Sequence, residues 1–133
     1  MKLADVQVNV RLKLSALWAS VMFLYVYGDF FGLFKPGKLR AMIEGVTPVG
    51  PTTQGVLLAF AVVMAIPSVM VFLSLVLSPT IARWANIILG VVYSLIMLLT
   101  MPHAWGFYVL LGCIEVALTI TIVWYAWTWP REA

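Results

Sequence analysis

The chain has 133 residues, carries eight lysines and arginines against five acids for a net charge of +3, and is 64% hydrophobic but only 10% charged. Its apolar residues fall in long blocks rather than in stripes of period 2 or 3.6, which is a membrane composition and excludes a soluble domain with a polar surface. The basic residues are scattered along the chain without forming a stripe or patch, so nucleic acid is excluded as a partner and positive-inside sorting accounts for the surplus.

Residues 1–12 are polar enough to stay in water or at the interface, and Arg11 and Lys13 mark the start of the first span. Leu14 to Phe34 supplies about 32 Å of helix against a hydrocarbon core of about 30 Å. This run is too long for a secretory h-region and lacks a small-residue cleavage pattern, so it reads as a retained helix. Lys35-Pro36-Gly37 stops it. Gly28 and Gly32, four apart, predict a close helix approach, and Ser15 and Ala19 continue the small residues toward the start.

Between the first two spans, Lys38 to Gly45 places Leu39, Met42 and Ile43 at i, i+3 and i+4 with charges on the other side and Gly45 as a C-cap. The expectation is a short helix lying at the interface, with an irregular loop as the alternative because eight residues make few helical bonds without packing. Val49 to Thr53 reads as a turn ending on a threonine N-cap. The second span is predicted from Gln54 to Ser78 and should kink at Pro67, where one backbone donor is missing.

The third span is predicted over 80–101, opened by Pro79 and Thr80. In it Ala82, Asn86, Gly90 and Ser94 recur every fourth residue and form one narrow face that another helix can approach, with Asn86 and Gly90 as packing residues. Pro102-His103 turns the chain into a fourth span from about Trp105 to Trp129. Residues 1–133 therefore read as a single all-α domain, an antiparallel four-helix membrane bundle with a short interfacial helix between its first and second spans. The two halves show no internal repeat, so an inverted-repeat transporter gains no support.

Four spans put both termini on one side. That side holds Lys2, Arg11, Lys13, Arg83 and Arg131 and the far side Lys35, Lys38 and Arg40, which predicts cytoplasmic termini and an inner-membrane location. Tryptophans are expected to anchor the same boundaries, with Trp18, Trp84, Trp124, Trp127 and Trp129 at the terminal side and Trp105 at the far side.

Two acids lie inside the spans, Asp29 in the first and Glu115 in the fourth. A carboxylate near the bilayer centre costs about 2.5 to 3.5 kcal/mol even on the lenient insertion scale, and these side chains are too short to snorkel. Each is therefore expected to face the bundle interior or a wet cavity. Counting about 1.5 Å per residue from the far boundary puts Asp29 about 9 Å deep, with Tyr25, Tyr93 and Glu115 at about 14 to 15 Å. Those four residues, extended by Ser94, define a predicted ligand- or ion-binding pocket in the far half of the bundle.

The competing structural reading makes a protonated Glu115 interhelical glue worth about 1 kcal/mol and the tyrosines core packing with satisfied hydroxyls. Cys113 reads as a small packing residue, and His103 as solvated in its turn. No set of metal ligands and no hydrolase, P-loop or dinucleotide pattern is present, so no catalytic residue or metal site is assigned and the cofactor stays unknown.

The opening Lys13-Leu-Ser-Ala-Leu-Trp18, followed by Phe23-Leu-Tyr-Val-Tyr-Gly-Asp29 and Lys35-Pro-Gly37, resembles an uncharacterised family of small four-helix bacterial membrane proteins. In size and topology the chain is also similar to DoxX-like four-helix proteins, some linked to quinone-coupled oxidation. The resemblance implies a fold and no mechanism. Two functions are carried forward. The first is binding of a small lipophilic molecule or ion, with proton coupling, at Tyr25, Asp29, Tyr93 and Glu115. The second is an accessory or scaffolding subunit of a larger membrane complex; besides the lipid bilayer, the partners considered are a second copy of the chain or such a complex. A membrane redox or lipid-modifying enzyme lacks a nucleophile, metal set or cysteine pair.

Overall fold

The computed structural model describes residues 1–131. Four helices are long and apolar enough to cross a membrane: α1 (Val10–Gly32), α3 (Gln54–Val76), α4 (Pro79–Thr100) and α5 (Gly106–Trp127). A short α2 (Lys38–Ile43) and a two-stranded hairpin, β1 (Val46–Thr47) with β2 (Gly50–Pro51), fill the link between α1 and α3. The chain is thus an all-α, multi-pass membrane protein. Most of its outward-facing side chains are apolar, as lipid demands.

Local chemistry sets the boundaries. α1 begins four residues before the expected Leu14 because the Asn9 side chain accepts the Arg11 N–H at 2.8 Å and caps the helix there. Thr53 caps α3 as predicted, accepting the Val56 N–H at 3.1 Å. Pro79 starts α4 at a position where its missing N–H costs nothing. The interfacial helix forms but ends at Ile43, and Gly45 then adopts φ +80°, the left-handed turn that a side chain resists. The expected turn at 49–53 is instead half of the small hairpin, held by the Thr47 hydroxyl donating to the Gly50 carbonyl at 2.6 Å.

The helices form a ring in which α1 lies between α3 and α5, α5 between α1 and α4, and α4 meets α3 only lightly. Between lipid-solvated helices apolar burial supplies little driving force, so close packing and hydrogen bonds must hold the bundle. Gly90 provides the closest approach: an added Cβ would lie 2.6 Å from Val123 and 3.2 Å from the Thr119 carbonyl of α5. Gly112, which was not singled out beforehand, makes room for the Met101 sulfur in the same way. Gly28 is in ordinary contact with Leu111 at 3.6 Å. Gly32 meets nothing within 4 Å, because it ends α1 where the chain leaves the bundle; the close approach expected there is not made within the chain.

The terminal half is a dry, hydrogen-bonded core. Trp18, expected as an interface anchor, is fully buried, since its face of α1 turns inward toward Asn86 of α4. Its indole N–H donates to Asn86 Oδ1 at 2.7 Å, Asn86 donates to the Ala82 carbonyl at 2.7 Å, and the Ser74 hydroxyl reaches the same Oδ1 at 3.4 Å. Asn86 thereby ties α1, α3 and α4 together, as its depth suggested. Arg11 and Arg83 also close helix ends: Arg11 donates to the Ser74 carbonyl of α3, and Arg83 to the Ala126 and Trp127 carbonyls at the end of α5. Cys113 lies on the outer surface instead of in the packing.

Candidate functional site

In the far half the packing opens. Every buried residue of α3 lies at or beyond Pro67, and before it only Val56 and Met64 are half-buried. The result is a cavity of about 190 Å³ bounded by all four long helices. From α1 come Tyr25, Gly28 and Asp29, from α3 Val63 and Met64, from α4 Tyr93, Ile96, Met97 and Thr100, and from α5 Tyr108, Leu111 and Glu115. Spacings of three, four or seven residues on α1, α4 and α5 put these side chains on one inward face of each, while α3 contributes two adjacent residues.

Tyr25, Asp29, Tyr93 and Glu115 all line this one cavity. They differ in position and in partners. Glu115 is 3% exposed, and its Oε2 is buried with no hydrogen-bond partner. Asp29 stands at the rim with an exposed side chain, consistent with its shallower depth. Tyr25 and Tyr93 are buried, and the Tyr93 ring meets Trp18 edge-on at 6.1 Å between centroids.

The Tyr93 hydroxyl is already committed. It donates to the Val63 carbonyl at 2.5 Å. Val63 lies four residues before Pro67, so its carbonyl is the one that loses its helical donor to the proline ring. Tyr93 supplies that donor from the neighbouring helix and spans the lightly packed α3–α4 seam. Ser94, expected to extend the pocket, does not line it: its hydroxyl binds the Gly90 carbonyl at 2.7 Å and the Thr119 hydroxyl at 2.6 Å.

Two cavity groups were missed. Tyr108 lies seven residues before Glu115 and Thr100 seven after Tyr93, each on the same helix face as its counterpart, and the Tyr108 hydroxyl donates to Thr100 Oγ1 at 2.8 Å. That spacing was readable. The pair sits toward the far boundary, where a hydroxyl excites no notice because water is close. Chemically, the cavity offers one unpartnered carboxyl at its inner end, a second carboxyl at its rim, tyrosine rings between them and a largely aliphatic and thioether wall.

No curated protein and no solved structure matches the chain. The profile of one family matches it over residues 1–133, end to end, and its four apolar helices and all five cavity acids and tyrosines fall inside that match: the chain belongs to the Family of unknown function (DUF6326).

Proposed function

We propose that this protein binds a small ligand or ion in the intramembrane cavity, with proton exchange at its carboxyls. One observation carries the reading: Glu115 is buried in the bundle with an oxygen that no protein group satisfies, and that oxygen belongs to a residue lining the void. A carboxyl retained only as interhelical glue would bond a neighbouring helix, as Asn86 does. The same reading takes the membrane to be a bacterial inner membrane, and the larger number of basic residues at the terminal side supports cytoplasmic termini.

Proton uptake by purified protein during a pH titration tests this. Wild type should bind protons at the pocket that the Asp29→Asn, Glu115→Gln double variant does not. Identical uptake by both would remove the pocket carboxyls from any such role.

A second reading, an accessory subunit, rests on a different surface. Phe23, Phe30, Phe31 and Phe34 of the first span and its end project outward, and Gly32 is open to a neighbour. Extraction in mild detergent that retains a stoichiometric larger partner would favour it. An isolated monomer or homodimer favours the pocket.

A further inference from the structure

Resting on that pocket reading, we propose that the guest is a small organic monocation, an ammonium head carrying an apolar body. The cavity's polar hydrogens are largely spent. The Tyr93 hydroxyl donates to the Val63 carbonyl, the Tyr108 hydroxyl to Thr100, and the Thr100 hydroxyl to the Met97 carbonyl at 2.9 Å. Tyr25 is left as the one hydroxyl not so committed. What lines the void is acceptor capacity: Glu115 with its unpartnered Oε2, the Asp29 carboxyl at the rim and the electron-rich tyrosine rings. No basic side chain among the described residues lines the cavity. An anion would find two acids and almost no donors, whereas a cation finds both charges and rings.

The wall sets the rest of the guest. An inorganic cation seeks a shell of oxygens, but much of this lining is Met64, Ile96, Met97 and Leu111. These side chains suit a hydrocarbon body, and the soft methionines adapt to its shape. The size is also informative. An apolar cavity of about 150 Å³ takes up benzene, and this one, at about 190 Å³, leaves room for a ring with a small charged head.

Protons compete with such a guest for Glu115. The titratable groups facing it are Tyr25 and Asp29 from α1, Tyr93 from α4 and Tyr108 from α5, with none from α3; Asp29 also feels Lys38 of α2. Cation binding should therefore strengthen as pH rises and Glu115 gives up its proton.

Scintillation-proximity binding on detergent-purified protein tests the proposal with two labelled probes, benzyltrimethylammonium and its uncharged isostere neopentylbenzene. Wild type should hold the cation at least about tenfold more tightly than the isostere, the scale of one charge-assisted contact. In Glu115→Gln that advantage should disappear, and Leu111→Trp, which fills the void, should remove cation binding. An isostere bound as tightly as the cation, or a Glu115→Gln variant that keeps the preference, overturns the cation while leaving a pocket that binds apolar guests. Cation binding that survives Leu111→Trp lies elsewhere and also overturns it. Failure of both probes to bind wild type refutes this guest class, whereas the proton-uptake comparison uses no guest and decides the pocket reading separately.

Discussion

Asn86 and Glu115 are both polar residues buried in a bundle of apolar helices, and their partners separate them. Asn86 accepts from Trp18 and Ser74 and donates to Ala82, so its removal leaves an indole N–H without an acceptor. Asn86→Ala should cost about 1 to 3 kcal/mol in reversible unfolding from mixed micelles. Glu115 Oε2 has no protein partner to lose, so Glu115→Gln should leave stability equal or higher in the same assay; a loss as large as that of Asn86→Ala would make Glu115 a structural residue. In the sequence Glu115 stood out by its depth and Asn86 by its place in a four-residue recurrence of small and polar residues, because a polar side chain in an apolar block must be explained whatever surrounds it. Trp18 was misread as an interface anchor because residue type does not say which face of α1 turns inward, here toward Asn86. Cys113 was misread because residue size does not say which face of an apolar helix looks inward.

At the level of elements, Pro67 lies inside a continuous α3 and acts on the neighbouring helix. It leaves the Val63 carbonyl without its helical donor, and the Tyr93 hydroxyl of α4 supplies the replacement across the weakest seam of the ring. Tyr93→Phe should then destabilise the protein by about 0.5 to 1.5 kcal/mol. In a Pro67→Ala background the cost should shrink, since the restored backbone N–H serves Val63 itself. Equal costs in the two backgrounds would show that the hydroxyl and the proline are not coupled. The four long helices were legible from apolar length, and within the stripe from Ala82 to Ser94 it is Gly90 that lies against α5, while Asn86 turns to Trp18 and Ser74. The hairpin at Val46 to Pro51 was not, because two residues per strand carry no alternation to read. The Tyr93–Val63 bond was equally hidden: it requires knowing that α3 and α4 meet at that level.

Taken as one molecule, the bundle divides across its middle. The terminal half is closed by the Trp18–Asn86–Ser74 network and by arginines on the carbonyls at helix ends, while the far half spreads around a cavity. The division follows from the sequence of α3, whose inward-facing Met70 and Ser74 lie beyond Pro67, with Met64 alone approaching the interior just before it. Depths of residues on different helices can be compared from the sequence, since straight helices between fixed boundaries share a common ruler, whereas which of those residues face one void is given only by the fold. The account depends on Glu115 belonging to a space that solvent and guests reach. Infrared spectroscopy of the protein in lipid nanodiscs, isolating the carboxyl band that Glu115→Gln removes, measures this directly. The band should shift promptly on transfer to heavy water and titrate with pH. A Glu115 band that stays fixed through both changes would mean a sealed, permanently bonded carboxyl and would contradict the pocket.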